Sequence, residues 1–261
     1  MTPASQVAII TGASSGIGWS LAHALARGSW KVGLVARRQD LLQKLSEEIR
    51  TAGGTAEFAS ADVADREQLL AAIAELRTRL GPIDLMVANA GVGAPTLVEP
   101  MNTPDIEKMF RINLFGVVYS IESVLPEMLE RGRGHIAAVS SIAAYKGLPG
   151  ESAYCASKAA VNTYLEGLRV QLRGRGIAVT TICPGFIKTP MTDVNNFKMP
   201  FLMSSDEAAR RIVRALKRRR KVYNFPWQMS LLMAVTRWLP DWILDRTMRK
   251  YNEAPPKVTL T

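Results

Sequence analysis

Thr11-Gly12-Ala13-Ser14-Ser15-Gly16-Ile17-Gly18 decides how this chain folds, because of what stands on either side of it. Before it, Val7-Ala8-Ile9-Ile10-Thr11 is a short apolar run of strand character. After it, residues 17–27 carry helical spacing. A glycine-rich loop that joins a strand to a helix aims its amides and the helix N-terminus at one spot. Their partial positive charge suits a pyrophosphate. Gly12 permits the tight turn, Gly16 lets backbone approach a ligand, and Gly18 lets the helix pack closely. The spacing Gly-x-x-x-Gly-x-Gly departs from the commoner dinucleotide fingerprint. By itself the loop is weak evidence, because a bare strand-to-helix turn also accounts for it.

Outward from the loop the alternation continues. Further strands are expected at 31–36, 55–59, 84–88, 135–140, 177–183 and 222–225, and helices at 40–52, 66–80, 104–131, 153–173 and 206–218. Apolar strands separated by helices predict an α/β fold, a doubly wound parallel sheet covered on both faces. Its crossovers are right-handed and its ligand crevice lies beyond the carboxyl ends of the strands. Residues 1–225 are read as the dinucleotide-binding and catalytic domain, with 190–215 as a substrate-loop region inside it. Residues 226–261 are read as a C-terminal helical extension and tail.

Composition narrows the function classes. Of 261 residues, 48% are apolar and 21% charged, as in ordinary soluble proteins. Residues 1–6 are too short and too polar for a signal peptide, and Cys155 and Cys183 make no disulfide framework, so a reducing cytoplasm is the default location. Cys155 and Cys183 are far apart, and with only His23 and His135 besides, no metal site is expected. The formal net charge of +10 is read either as a solvated basic surface or as attraction for an anionic cofactor, substrate or membrane surface. No nucleic-acid module is present, so nucleic-acid binding is not expected.

Tyr154 and Lys158 stand at i and i+4, on one helical face. A free tyrosine titrates at about 10, and a neighbouring ammonium favours its phenolate. A tyrosine tuned toward neutrality can exchange a proton with a carbonyl or alcohol oxygen. Alone, the pair also fits an ordinary surface contact.

The glycine motif at 11–18, Asn89-Ala90-Gly91, and Tyr154-x-x-x-Lys158, in this order, resemble the short-chain dehydrogenase/reductase family, over about residues 7–189. The resemblance implies a Rossmann-type sheet of seven strands, a nicotinamide dinucleotide, and a homodimer or homotetramer. It places the cofactor on Gly12, Ser14, Ser15, Gly16, Ile17 and Gly18. Asp62 would accept from the adenine amino group, with Val63 beside it. Asn89, Ala90 and Gly91 would border the adenosine ribose, where the family often has a second asparagine and this chain has Ala88. Lys158 would also hold the nicotinamide ribose, and Ser141 would bond the substrate oxygen, with Ser140 the competing candidate. Asn113 would hold a water linked to the lysine. Pro184, Gly185, Ile187 and Thr189 would cover the nicotinamide.

The second strand ends in Ala36-Arg37-Arg38, two guanidiniums and no carboxylate. A carboxylate there would repel a 2′-phosphate, whereas a guanidinium forks onto one. The expected cofactor is therefore NADP(H). The alternative, a side chain that simply faces water, is held for Arg38 more than for Arg37. Ser14 stands where some NADP-binding relatives carry a basic residue.

The expected function is an NADP-dependent oxidoreductase acting on CH–OH groups, reducing a hydrophobic, long-chain or lipid-like ketone. One alternative is a 3-oxoacyl-thioester reductase, for which the basic surface suits an acidic carrier. The other is a non-catalytic NADP(H) sensor, against which the full Asn113, Ser141, Tyr154, Lys158 set argues. Met191, Phe197, Met199, Phe201, Leu202 and Met203 make the region after Thr189 apolar and adaptable, for a substrate pocket or for core packing. Beyond the basic run 217–221, Trp227, Leu231, Leu232, Val235, Trp238 and Leu239 fall near one helical face, with Arg246, Arg249 and Lys250 following. Arg237, Pro240 and Asp241 break the stretch, so it is too short to span a bilayer. Three readings stay open: peripheral membrane contact, packing over the pocket or a partner subunit, and a solvated tail.

Overall fold

The computed structural model describes residues 6–195 and 198–236, together with Pro240, Trp242, Ile243 and Arg246. The readings made on Phe197, Arg237, Trp238, Leu239, Asp241, Arg249 and Lys250 lie outside these residues.

The strands, in chain order, are β1 (Val7–Thr11), β2 (Lys31–Ala36), β3 (Thr55–Ser60), β4 (Ile83–Ala88), β5 (Gly134–Val139), β6 (Ile177–Pro184), the short β7 (Ile187–Lys188) and β8 (Met203–Ser204), and β9 (Val222–Phe225). Seven of them form one parallel sheet in the order β3-β2-β1-β4-β5-β6-β9. The order grows outward in opposite directions from β1 and β4. That reversal opens a crevice past their carboxyl ends, where the glycine loop stands.

Both faces of the sheet are covered, which is why its strands are almost continuously apolar. Successive residues point to opposite faces. Thus Ile9 and Met86 join one layer with α3 (Arg66–Leu80), through Ile73 and Leu76, and with α7 (Ser152–Gln171), through Val161 and Leu165. Ile10 and Val87 join the other layer with α1 (Gly16–Ala26), α2 (Gln39–Thr51) and α9 (Ser205–Lys217). There Leu21, Leu25, Leu42, Leu45 and Ile212 fill the space. Ser20 ties α1 to the start of α9 through Asp206, at 2.7 Å.

The helix expected over 104–131 is not continuous. It divides into α4 (Thr103–Phe110), a π-helical turn (Arg111–Phe115), α5 (Gly116–Glu122) and α6 (Leu125–Glu130). Pro126, which has no amide hydrogen, sits in the first turn of α6 and cannot continue the preceding helix. The π turn is centred on Asn113, whose buried amide is bonded elsewhere. Short α8 (Pro190–Asp193) and the β7–β8 pair occupy the region after Thr189, and α10 (Trp227–Thr236) follows β9. Among the described residues no helix is long and apolar enough to cross a membrane, and no group of side chains is placed to hold a metal ion.

Candidate active site

A cleft of about 320 Å³ opens at the carboxyl ends of the central strands. Gly12, Ser14, Ser15, Gly16 and Ile17 line it, as do Arg37, Arg38, Asp62 and Val63. So do Asn89, Ala90 and Gly91; Ser141, Tyr154 and Lys158; and Pro184, Gly185, Ile187 and Thr189. Gly18 and Asn113 do not line it; both stand behind it and hold its walls.

The glycine loop is pressed against the end of β4. Gly12 and Gly16 have φ of +66° and +56°. A Cβ on Gly12 would meet the Ala90 Cα at 2.7 Å, and one on Gly16 the Thr189 Cγ2 at 2.9 Å. Asn89 Nδ2 donates to the Thr11 carbonyl at 3.0 Å, and Thr11 Oγ1 accepts from the Asn89 and Ala90 amides. Asn89 thus caps its strand and lines the cleft at once. The result is a cradle that only glycine fits, with the N-terminus of α1 directed into it. An elongated phosphate-bearing dinucleotide suits such a trough.

At one end of the trough stand the two arginines, and their arrangement corrects the expectation. Arg38 does not simply face water. Its Nη2 donates to Ser14 Oγ at 2.9 Å and Ser15 Oγ at 3.1 Å, so a guanidinium lies on the glycine loop. Arg37 has 56% of its side chain exposed, and its Nη1 lies 3.8 Å from Asp62 Oδ2. Ser14 is uncharged, but Arg38 bonded to it places a guanidinium at that position. Asp62 also accepts from the Ala64 amide at 2.9 Å, which fixes its carboxylate.

At the other end, α7 presents Tyr154 and Lys158 one turn apart. Lys158 Nζ donates to the Val139 carbonyl at 3.0 Å and lies 5.9 Å from the centre of the Tyr154 ring. Burial pushes Lys158 down to about 8 and Tyr154 up to about 12. The hydrogen bond with Ser141 is the one interaction that pulls the Tyr154 phenol back. A tyrosine tuned toward neutrality by its lysine is therefore not what the chain alone produces. Desolvation is the largest cause, and the Lys158 ammonium is aimed at the Val139 carbonyl. The two serines separate cleanly: Ser140 Oγ is spent on the Lys158 carbonyl at 3.0 Å, leaving Ser141 facing Tyr154.

Asn113 is buried and fully engaged. Its Oδ1 accepts from the Val92 amide at 2.8 Å, and its Nδ2 donates to the Val92 carbonyl and to Ser157 Oγ. Ser157 in turn donates to the Tyr154 carbonyl at 2.8 Å. The loop after β4 is thereby latched to the helix that bears Tyr154 and Lys158. Sequence reading missed Ser157, although its place between the two was a usable signal. It also missed Glu151, one turn before Tyr154, which burial pushes up to about 7.

The chain after Thr189 divides between site and core. Thr192 Oγ1 donates to the Ile187 carbonyl at 2.7 Å and accepts from the Thr189 amide, closing the turn that edges the cleft. Met191 lines the cleft, and a Cβ on Gly93 would touch both its sulfur and the Tyr154 ring. Met203 packs into the core, while Phe201 and Leu202 are exposed. Met229 and Met233 of α10 pack on Ile142 and Cys183 beside Tyr145 and Phe186, just past Ser141. The face read from sequence, Trp227, Leu231, Leu232 and Val235, points outward.

Comparison with known proteins follows the same residues. Residues 6–199 match a family model described as short chain dehydrogenase. Over 245 residues the chain is 40% identical to an uncharacterized oxidoreductase of Myxococcus xanthus, covering 94% of this chain and 97% of that one. It is 31% identical over 220 residues to the ketoacyl reductase HetN of a Nostoc strain, covering 83% and 77%. Among solved structures, a variant of actinorhodin polyketide ketoreductase crystallised with NADPH superposes with a TM-score of 0.80. Identity there is 27%, over 87% of this chain and 97% of that one.

Proposed function

The chain belongs to the short-chain dehydrogenase/reductase family of oxidoreductases, whose fold binds a nicotinamide cofactor, and from that premise we propose that it uses NADP(H) to reduce a hydrophobic ketone, with Tyr154 as the general acid. The observation that carries the reading is the convergence of Ser141, Tyr154 and Lys158 at one end of a trough whose other end holds the glycine loop and two arginines.

The nicotinamide supplies the hydride when bound, and the same residues serve the reverse oxidation. Ser141 Oγ already accepts from the Ala143 amide at 3.1 Å, so its own proton is directed to a carbonyl oxygen beside Tyr154. The Tyr154 hydroxyl donates the proton to that oxygen. Charged Lys158 steadies the phenolate so formed and holds the ribose side of the trough. Asn113, through Val92 and Ser157, keeps the pair in place.

Protonated Tyr154 persists to about 12, so it does not limit the rate at ordinary pH. Lys158 does: it loses its charge through about 8. Ketone reduction at saturating NADPH is expected to fall about tenfold per pH unit above that point. A kcat/KM profile that stays flat well above it would contradict this role for Lys158.

Arg37 and Arg38 support NADP(H) over NAD(H). Their forks suit a 2′-phosphate; the second strand itself ends in Ala36-Arg37-Arg38 without a carboxylate, and Asp62 across from it is paired with Arg37 at 3.8 Å. Removing one charge-assisted bond costs about 1.5–3 kcal/mol, roughly ten- to hundredfold in affinity. Arg37→Ala and Arg38→Ala are each expected to weaken NADPH by that factor and to leave NADH nearly unchanged, as measured by fluorescence titration. Equal losses for both cofactors would overturn the assignment.

A hydrophobic substrate is supported by Met191 at the cleft and by the wall that Ile142, Met229 and Met233 form just past Ser141. The outer apolar face of α10 fits peripheral membrane contact of a cytoplasmic homodimer or homotetramer. The second reading is reduction of a 3-oxoacyl thioester, favoured by the name of the Nostoc relative.

A further inference from the structure

The basic run Lys217-Arg218-Arg219-Arg220-Lys221 takes no part in the site just described. It ends α9, whose buried face is Ala208, Ala209, Ile212, Ala215 and Leu216. On another side of the helix Glu207, Arg211, Arg214 and Arg218 follow at spacings of four, three and four residues, which aligns them in one stripe along the axis. Facing that stripe are Arg220 of the following turn and Tyr223 of β9, the edge strand of the sheet. Together they line a second cleft of about 330 Å³, which shares no lining residue with the first.

The only carboxylate lining this cleft is already committed. Glu207 accepts from Arg210 at 2.7 Å and from Arg211 at 2.8 Å. Arg211 also bonds Tyr223, and the Arg220 guanidinium lies 5.6 Å from the centre of the Tyr223 ring. Arg214, Arg218 and Arg220 have no carboxylate partner among the described residues. The carbonyl end of a helix offers about half a negative charge, which three guanidiniums far exceed. Like charges lining one cleft repel, and a bound anion removes that cost.

We propose that this cleft binds a phosphate-bearing anion, with Arg214, Arg218 and Arg220 taking its oxygens and the Tyr223 hydroxyl beside them. Guanidinium forks match phosphate oxygens two at a time, and three of them around a cleft of this size fit a terminal phosphate or a diphosphate. The same chemistry is offered by a lipid headgroup at a membrane surface and by a soluble phosphate.

The test is made with NADPH saturating the glycine loop, so that phosphate cannot report on the cofactor trough. Inorganic pyrophosphate is titrated calorimetrically. In parallel, the protein is sedimented with vesicles of phosphatidylcholine alone or mixed with phosphatidylglycerol. The double variant Arg214→Ser/Arg218→Ser is compared with Arg173→Ser/Arg175→Ser, an equal loss of exposed charge beyond the end of α7. Binding of pyrophosphate or of the anionic vesicles is expected, weakened at least about tenfold in the first double variant and not in the second. Vesicle binding alone identifies a headgroup as the source, and pyrophosphate binding alone a soluble phosphate. If the first double variant does not fold, Arg220→Ser, outside the helix, carries the same expectation of weakened binding. Absence of binding to both probes, or equal loss in both double variants, overturns the proposal.

Discussion

Tyr154→Phe is expected to lower kcat for ketone reduction by about 10³-fold or more while leaving NADPH affinity nearly unchanged. A positioned general acid contributes about 10²–10⁴-fold, and here no other hydroxyl is placed to take over. Ser141 is adjacent, but its oxygen already accepts the Ala143 amide and lacks a lysine one turn away. The substitution removes one oxygen and keeps the ring, so the packing against Ala94, Met109 and Ala153 survives. The Ser141 hydroxyl loses the Tyr154 oxygen as acceptor, but it lines the cleft, where water can take its proton. The loss therefore belongs to proton transfer and not to folding. Stopped-flow turnover and NADPH titration of the same preparation separate the two. Retained turnover would remove Tyr154 from the mechanism.

Gly18→Ala is expected to be strongly damaging, through a single methyl added behind the wall of the cofactor trough. The added Cβ would lie 2.3 Å from the Gly12 carbonyl oxygen and 2.7 Å from Asn89 Nδ2. Neither atom is the free end of a flexible chain, since Asn89 holds Thr11 and Gly12 through that same nitrogen. Relief requires the start of α1 to move away from the loop, which disperses the amides aimed at the pyrophosphate. Overpacking of this kind costs about 1–3 kcal/mol of stability. NADPH affinity is expected to fall at least about tenfold with it. Gly167→Ala is the matching control: it lies in α7 with nothing near its Cβ position. It is expected to stabilise the protein by about 0.5–1 kcal/mol. Thermal unfolding of both variants, with and without NADPH, reads the contrast. Equal behaviour would contradict the packing argument.

The parallel sheet was legible because both of its faces are buried, and burial writes itself into strands as apolar runs. The crevice followed from topology, and the residues at its two ends followed from motifs on the elements that border it. What was not legible was set by side chains reaching across sequence. Arg38 bends back to Ser14 and Ser15, a contact no local pattern announces, so the more engaged arginine was taken for the more solvated one. Residues 104–131 carry one helical periodicity, and only the bonds of Asn113 to Val92 and Ser157 show why a π turn interrupts it. The burial that raises the proton affinity of Tyr154 is not legible in the sequence either, because spacing reports a neighbouring charge and not its depth. α10 is apolar on opposite sides, so its sequence could not say which side faces in. The structure answers with Met229 and Met233.

The central claim is that this trough carries out hydride transfer to a carbonyl with NADPH. It is tested most directly by following NADPH consumption by the purified full-length protein. The panel comprises ketones of increasing chain length and 3-oxoacyl thioesters, each run in parallel with NADH. The account predicts turnover of a hydrophobic ketone with a strong preference for NADPH, abolished in Tyr154→Phe. Turnover confined to the thioesters would move the substrate class to the second reading. No oxidation of NADPH with any carbonyl in the panel, by a protein that still binds NADPH tightly, would contradict it.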